Sequence, residues 1–286
     1  MFDVRFWGVR GSVATAGVDR AGVGGNTSCV ELMCGTQRLI LDAGTGLRQL
    51  GADLMQSPMP TDHNVTLLLS HYHWDHIQGL PFFTPAYSHK FNLRVIGPQP
   101  TEQPKATVRE LLAHQMNGPY FPVGMDAMRA QMEFQALIPG ESLRLENIRI
   151  RTCAARHPNS CLAYRVEYNG RVVVYATDTE HDPDNPEPDA NLAALARDAD
   201  ILIYDAQYTE DEYATKRGWG HSTPDAATLL AQHAGVKQLV LFHHDPSHTD
   251  WTVASMEASA RLKFKETLAA REGQCLQLGP VAANAA

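Results

Sequence analysis

The stretch LLLSHYHWDHIQG, Leu67 to Gly79, constrains the fold more than any other part of the sequence. Three histidines and an aspartate fall within six residues, directly after an apolar run. His71 and His73, two apart, point the same way from extended backbone, whereas Asp75 and His76 follow once the chain has begun to turn. Imidazoles crowded like this repel one another when protonated, and a bound cation removes that repulsion. Neutral imidazole and carboxylate are good ligands for zinc and other first-row divalent ions. A cluster placed just past the buried strand VTLLL addresses two neighbouring points from two directions, so two divalent ions per chain are the natural occupants. Zinc comes first, with manganese or iron as alternatives.

Three further candidates stand at the ends of strand-like runs: His157 after IRIRTCAAR, Asp178 after RVVVYAT and His243 after KQLVLF. Taken singly, each reads equally as a turn or cap residue. Together with the cluster they supply the seven ligands that two metals and a bridging water require. His244 is the alternative to His243 if the strand register is shifted by one.

Composition limits the partners. With 286 residues, 44% hydrophobic and 20% charged, the chain reads as an ordinary globular protein, expected to form a single unit over residues 1–286. Its net charge of −8 includes no basic block, so no long nucleic acid is expected as a partner. A small anionic substrate would instead be neutralised locally by the metals. The N-terminus MFDVRFWGVRGS is not built like a signal peptide, and no apolar run has the length of a membrane span. Five cysteines, an odd number without a C-x-x-C pair, argue against both a disulfide framework and a thiolate zinc site. A cytoplasmic protein without membrane contact is expected.

Strand-like runs alternate with turns: TSCVELMCG, QRLILDAG, NVTLLLS, NLRVIGP, LRLENIRIRTCAARH, LAYRVEYNG, RVVVYATD, ADILIYDA and KQLVLFHH. Helical patterns occupy PKATVRELLAHQMNG, PDANLAALARDA, STPDAATLLAQHAG and DWTVASMEASARLKFKETLAAR. In the third, Thr223 suits the N-cap, Pro224 the first helical position and Gly235 the C-terminal turn, which sets His221 just ahead of a helix. GTQRLILDAGTG and NGRVVVYATDTE echo one another, each running from a turn glycine through a strand to an aspartate, as two similar halves would. The segment DTEHDPDNPEPDAN reads as a surface loop.

The SHYHWDH motif with the later His, Asp and His resembles the metallo-β-lactamase superfamily. The similarity runs from FWGVRGS and GGNTSCVEL through LDAGTG, RHPNSCLAYRVE, YATDTE and GHSTPDAA to LVLFHHDP. It implies a four-layer αββα sandwich, two mixed β-sheets flanked by helices, with a dinuclear site at one edge. On that pattern His71, His73 and His157 hold one metal, Asp75, His76 and His243 hold the other, and Asp178 bridges them. Within the superfamily the chain is most similar to a phosphodiesterase branch that includes the tRNA 3′-processing endonuclease, the phosphonate-pathway cyclic phosphodiesterase and cyclic-nucleotide phosphodiesterases. Asp178 at the bridging position, His221 in GHST and Asp205 in LIYDAQYT carry that closer match. The chain departs from the tRNA enzymes in lacking a long glycine- and proline-rich arm, which points away from tRNA. It departs again at SVATAG, where relatives carry prolines. The resemblance leaves a homodimer open.

A dinuclear phosphodiesterase acting on a small nucleotide or cyclic phosphodiester is therefore expected. Two divalent ions lower the pKa of a shared water enough to supply hydroxide and neutralise a phosphoryl oxygen. Asp75 belongs to that catalytic centre, and His221 held by Asp205 is the candidate general acid. Arg10 and Asn26, in glycine-bearing turns, are candidate substrate contacts. So are Tyr120 and Phe121, aromatic residues between prolines that could stack a base. The rivals are hydrolysis of a carboxylic ester, lactone or amide at the same centre, and a metal- or nucleotide-binding sensor without turnover.

Overall fold

The computed structural model describes residues 2–56, 63–185 and 187–280. The chain opens with β1 (Phe2–Gly8), β2 (Cys29–Cys34) and β3 (Gln37–Leu41), then α1 (Gly46–Gln56), β4 (Asn64–Leu68), α2 (Trp74–Ile77), β5 (Asn92–Pro98), α3 (Val108–His114) and β6 (Gln131–Leu137). A second series follows: β7 (Ser142–Leu145), β8 (Ile148–Ala154), β9 (Leu162–Tyr168), β10 (Arg171–Ala176), α4 (Ala190–Ala196), β11 (Ile201–Asp205), α5 (Glu210–Tyr213), α6 (Pro224–His233), β12 (Leu239–Phe242), α7 (Asp250–Lys263), β13 (Thr267–Ala269) and β14 (Cys275–Leu278).

These strands form two seven-stranded sheets, ordered β14-β1-β2-β3-β4-β5-β6 and β13-β12-β11-β10-β9-β8-β7. Both sheets are mixed. β2–β3 and β9–β10 are antiparallel pairs, and β4, β5 and β6 then continue parallel beside β3 as β11, β12 and β13 do beside β10. The echo between GTQRLILDAGTG and NGRVVVYATDTE thus marks equivalent strands of two similar halves.

Strand alternation sorts the side chains into layers. Leu39 and Leu41 of β3, with Ile201 and Ile203 of β11, face the core between the sheets. Ile40 turns outward to meet Leu47 and Leu50 of α1, and Leu202 meets Leu230 of α6. Both sheet faces are therefore buried, which is why the central strands read as continuous apolar runs. The result is the expected αββα sandwich.

α6 begins and ends as expected: the Thr223 side chain accepts from Ala226 N, Pro224 follows, and Gly235 takes the left-handed φ of 65°. Other elements differ. LRLENIRIRTCAARH is a hairpin of β7 and β8, turning at Glu146 with φ 49°. The helical pattern from Asp250 onward stops at Lys263, and Thr267–Ala269 pairs in parallel with β12 instead. Backbone partners on the open edge of β12 prevail there over apolar periodicity. The first helical run is helical only over Val108–His114, where Thr107 and Glu110 form a capping box. All five cysteines are free thiols. Among the described residues no helix is long and apolar enough to cross a membrane.

Candidate metal centre

In both sheets the parallel strands end at the same edge of the sandwich, where clefts of open α/β sheets take ligands. His71, His73, Asp75 and His76 follow β4, Asp178 follows β10, Asp205 closes β11 and His243 follows β12. His157 arrives on the loop between β8 and β9. The structure brings all seven candidate ligands together in two overlapping groups whose ligand atoms lie within 4.8 Å of one another: His71, His73, His157 and Asp178, and Asp75, His76, Asp178 and His243.

Asp178 belongs to both groups. Its Oδ1 is 3.1 Å from His76 Nε2 and 3.1 Å from His243 Nε2, while Oδ2 is 3.5 Å from His71 Nε2. Asp75 Oδ2 lies 3.2 Å from both His76 Nε2 and His243 Nε2, and accepts from Ser12 N at 2.7 Å. Asp178 and His243 adopt left-handed backbone, with φ of 48° and 61°, as do Ser12 and Asp42 beside them. Four non-glycine residues in this sparsely populated region at one site mean that the surrounding structure forces their conformation. Gly11 is required for a different reason, since a Cβ there would meet the His243 ring at 2.5 Å.

Four of the five histidine rings are held from behind through Nδ1. His71 Nδ1 is 3.0 Å from Ser70 Oγ, His76 Nδ1 is 2.8 Å from Asp42 Oδ2, and His243 Nδ1 is 2.9 Å from Gln207 Oε1. His157 Nδ1 is 3.1 Å from the Asn159 carbonyl. Fixing Nδ1 presents Nε2 to the centre, as outer partners of ligating histidines do. His73 differs, being exposed, with its Nε2 2.9 Å from Asn159 Oδ1.

Asp42 is the outer partner that sequence reasoning missed. It accepts from Ser70 N, Ser70 Oγ and Tyr175 Oη at 2.7 to 2.8 Å, all buried. Asp42 and Asp178 are the two echoed aspartates, one from each sheet, and they grip the two nitrogens of the His76 ring. The echo was the signal that could have found Asp42. Asparagine tolerates left-handed backbone, so Asp42→Asn should fold. It is expected to weaken metal affinity roughly 10- to 100-fold, the usual cost of losing such a partner. Chelator competition measures this, and unchanged affinity would remove Asp42 from the centre.

Electrostatics fit a cation. Burial and neighbouring imidazoles push His71 well below the ordinary histidine range, leaving it neutral, and its buried Nε2 has no hydrogen-bond partner. Burial opposes charge on His76, but Asp178, Asp75 and Asp42 outweigh it and raise its pKa. Burial likewise opposes ionisation of Asp75 and Asp178, yet the surrounding imidazoles, His76 against Asp75 and His243 and His76 against Asp178, drive both carboxyls well down. An orphaned imidazole nitrogen beside the ionised Asp178, in a site of nitrogen and oxygen donors only, suits zinc and related divalent ions.

His221 stands beside this cluster with its Nδ1 2.9 Å from Asp205 Oδ2, as the sequence led us to expect. Burial opposes its protonation, but Asp205, then Asp178 and Asp75, prevail and raise its pKa to about 9. Asp205 is itself fixed by Asp178 N, Gln207 N and Ser222 N at 3.0 to 3.1 Å. Asp178, Asp205, His221 and His243 form a third close group.

The remaining candidates engage other partners. Arg10 is fully buried, and its guanidinium donates to the carbonyls of Gly24, Asp245 and His248. The Asn26 side chain engages Glu272 and Thr45. Both brace the loop that places Ser12 and Gly11 against the ligands. Phe121 packs edge-on against Phe82 at 5.5 Å, and Tyr120 is 84% exposed. His244 lies outside the cluster: its Nε2 is 3.1 Å from the Ala270 carbonyl, and burial and Arg10 hold its pKa down to about 3. That places His243, not His244, in the cluster.

Comparison with known proteins places the chain in a family. Residues 37–244 match the family described as Beta-lactamase superfamily domain. Ribonuclease Z of Methanosarcina mazei is 24% identical over 328 aligned residues, covering 95% of this chain and 96% of the relative. The metallo-β-lactamase fold protein YhfI of Bacillus subtilis superposes with a TM-score of 0.71 at 20% identity, covering 97% of this chain and all of that one. A diphosphatase of the PhnP family superposes with a TM-score of 0.68 at 15% identity, covering 98% and 99%. The alignment with Ribonuclease Z corrects the expectation that no long nucleic acid is a partner, because a relative aligned nearly end to end is a ribonuclease. Net charge averages over the whole surface, whereas phosphate is met locally, so −8 does not rule out RNA.

Proposed function

This chain belongs to the β-lactamase superfamily, and from that premise we propose that it is a dinuclear metal-dependent phosphodiesterase. The observation that carries the reading is Asp178, shared by two ligand groups and flanked by the His221–Asp205 pair. His71, His73 and His157 would hold one ion, Asp75, His76 and His243 the other, with Asp178 serving both. When bound, such a pair supplies hydroxide near neutral pH and neutralises a phosphoryl oxygen.

The protein's own groups do the rest. Asp205 accepts the Nδ1 proton of His221, which leaves Nε2 to carry the proton that an alkoxide leaving group needs. The Asp205 carboxylate beside it favours the protonated ring. Ser12 N and the imidazoles keep Asp75 ionised and oriented. Gln207 joins the two parts, receiving His243 Nδ1 on its side chain and donating its backbone N–H to Asp205.

The first substrate class is a small nucleotide or cyclic phosphodiester, and a PhnP-family diphosphatase of the same fold supports phosphoryl chemistry on a substrate other than RNA. An RNA phosphodiester is the second, favoured by the alignment with Ribonuclease Z. One panel distinguishes them: a 3′,5′-cyclic nucleotide, a short RNA with a 3′ extension, and a chromogenic carboxylic ester. Phosphodiester turnover well above ester turnover is expected, and the better of the first two substrates assigns the class. Preferential cleavage of the ester would overturn the reading.

A further inference from the structure

The segment that leads into His221, residues 214–220, carries chemistry that the metal centre does not use. Trp219 stands 57% exposed two residues before His221. The Lys216 ammonium sits 4.2 Å from the centre of its ring and 5.8 Å from that of Tyr208. Tyr208 in turn meets the His221 ring edge-on at 5.8 Å. Lys216 makes no ion pair among the described residues, so its charge is left to act on a ligand.

The segment is held rigidly. The buried Glu180 carboxylate accepts from Tyr213 Oη and Gly218 N at 2.8 Å, and from Gly220 N at 3.1 Å. Gly218 and Gly220 take left-handed φ of 84° and 87°. Gly220 also lies so close to the ligand His157 that a Cβ would meet its ring at 2.4 Å. A large apolar ring exposed on a clamped loop against the centre loses little freedom when something stacks on it.

We propose that Trp219, with Lys216 on one face of its ring, is the subsite that stacks the nucleobase of a substrate whose phosphate lies at the metal centre. Lys216 fixes the indole by a cation–π contact and places positive charge beside the phosphate, while the uncovered part of the ring accepts the base. Stacking discriminates weakly among bases, because every base has a π-face. The ligand is therefore a nucleotide of either small or polymeric origin, recognised by its base as well as by its phosphate.

The inference rests on the phosphodiesterase reading, and its test is a binding measurement that needs no turnover. Adenosine monophosphate and ribose 5-phosphate offer the same phosphate, and only the first offers a base. Calorimetric titration of the metal-loaded protein should give a Kd for adenosine monophosphate roughly 5- to 100-fold below that for ribose 5-phosphate, the range of base–aromatic stacking. Trp219→Ala should erase the difference by weakening only the nucleotide, and Trp219→Phe should retain most of it. An exposed position makes unfolding an unsuitable explanation for the loss. If Trp219→Ala keeps the wild-type ratio, or the wild type shows no preference, the subsite is refuted. If the preference exists and depends on Trp219 while no phosphodiester is cleaved, the subsite stands and the reaction assignment falls.

Discussion

Replacing Asp178 by alanine should strip the protein of both metal ions, from about two per chain to nearly none. Of the seven candidate ligands, Asp178 alone belongs to both proposed metal groups: Oδ1 lies 3.1 Å from His76 and His243, and Oδ2 lies 3.5 Å from His71. Its loss leaves only nitrogen ligands in the group of His71, His73 and His157. Alanine at a φ of 48° adds backbone strain, so Asp178→Asn is the needed companion. Asparagine tolerates that conformation and keeps the shape, and it should lose metal affinity while retaining the thermal transition of the metal-free wild type. Elemental analysis after purification without chelator measures both variants. Full occupancy in Asp178→Ala would show that the bridge is misassigned.

Removal of His221 should separate proton delivery from metal binding. His221→Ala removes none of the seven residues of the two ligand groups and should keep both ions, yet cleave an alkyl or ribose diester about 10²- to 10⁴-fold more slowly, the usual range of general-acid assistance. p-Nitrophenolate departs without needing a proton, so bis(p-nitrophenyl) phosphate should lose far less. Asp205→Asn should follow the same pattern more mildly, since the imidazole remains but loses its charged partner. Equal losses on both substrates would assign His221 to stabilising charge on the phosphoryl oxygens. Loss of metal in His221→Ala would make it a ligand, which the third close group with Asp178, Asp205 and His243 makes a concrete alternative.

The candidate ligands were legible as a group because the chain delivers them in ways that leave a one-dimensional trace. Four fall within six residues, and His157, Asp178 and His243 each follow a strand-like run. What holds them was far less legible. Asp42 shows only as one half of the strand echo, Ser70, Gln207 and Asn159 are ordinary turn residues in sequence, and all four become partners of the histidines only when the two sheets bring distant strand ends together. Arg10 shows the converse, since a buried arginine fastening three carbonyls reads in sequence like an exposed anion contact. Trp219 escaped notice because a lone tryptophan between glycines carries no periodicity, and its meaning comes from Lys216, Glu180 and His221 around it. Among the secondary elements, α1 begins at Gly46 with no acidic residue in its first turn, and β14 is a four-residue edge strand. Both depend on packing against the rest of the sheet rather than on local signals.

Titration of metal-stripped protein with a divalent ion, followed by hydrolysis of thymidine 5′-(p-nitrophenyl phosphate), tests the dinuclear phosphodiesterase most directly. Hydrolysis should be absent without metal, rise as ions bind, and reach its plateau at about two bound ions per chain, with chelator returning it to baseline. Hydrolysis that persists in the stripped protein, or a plateau reached with a single ion bound, would contradict a reaction centred on two metals joined by Asp178.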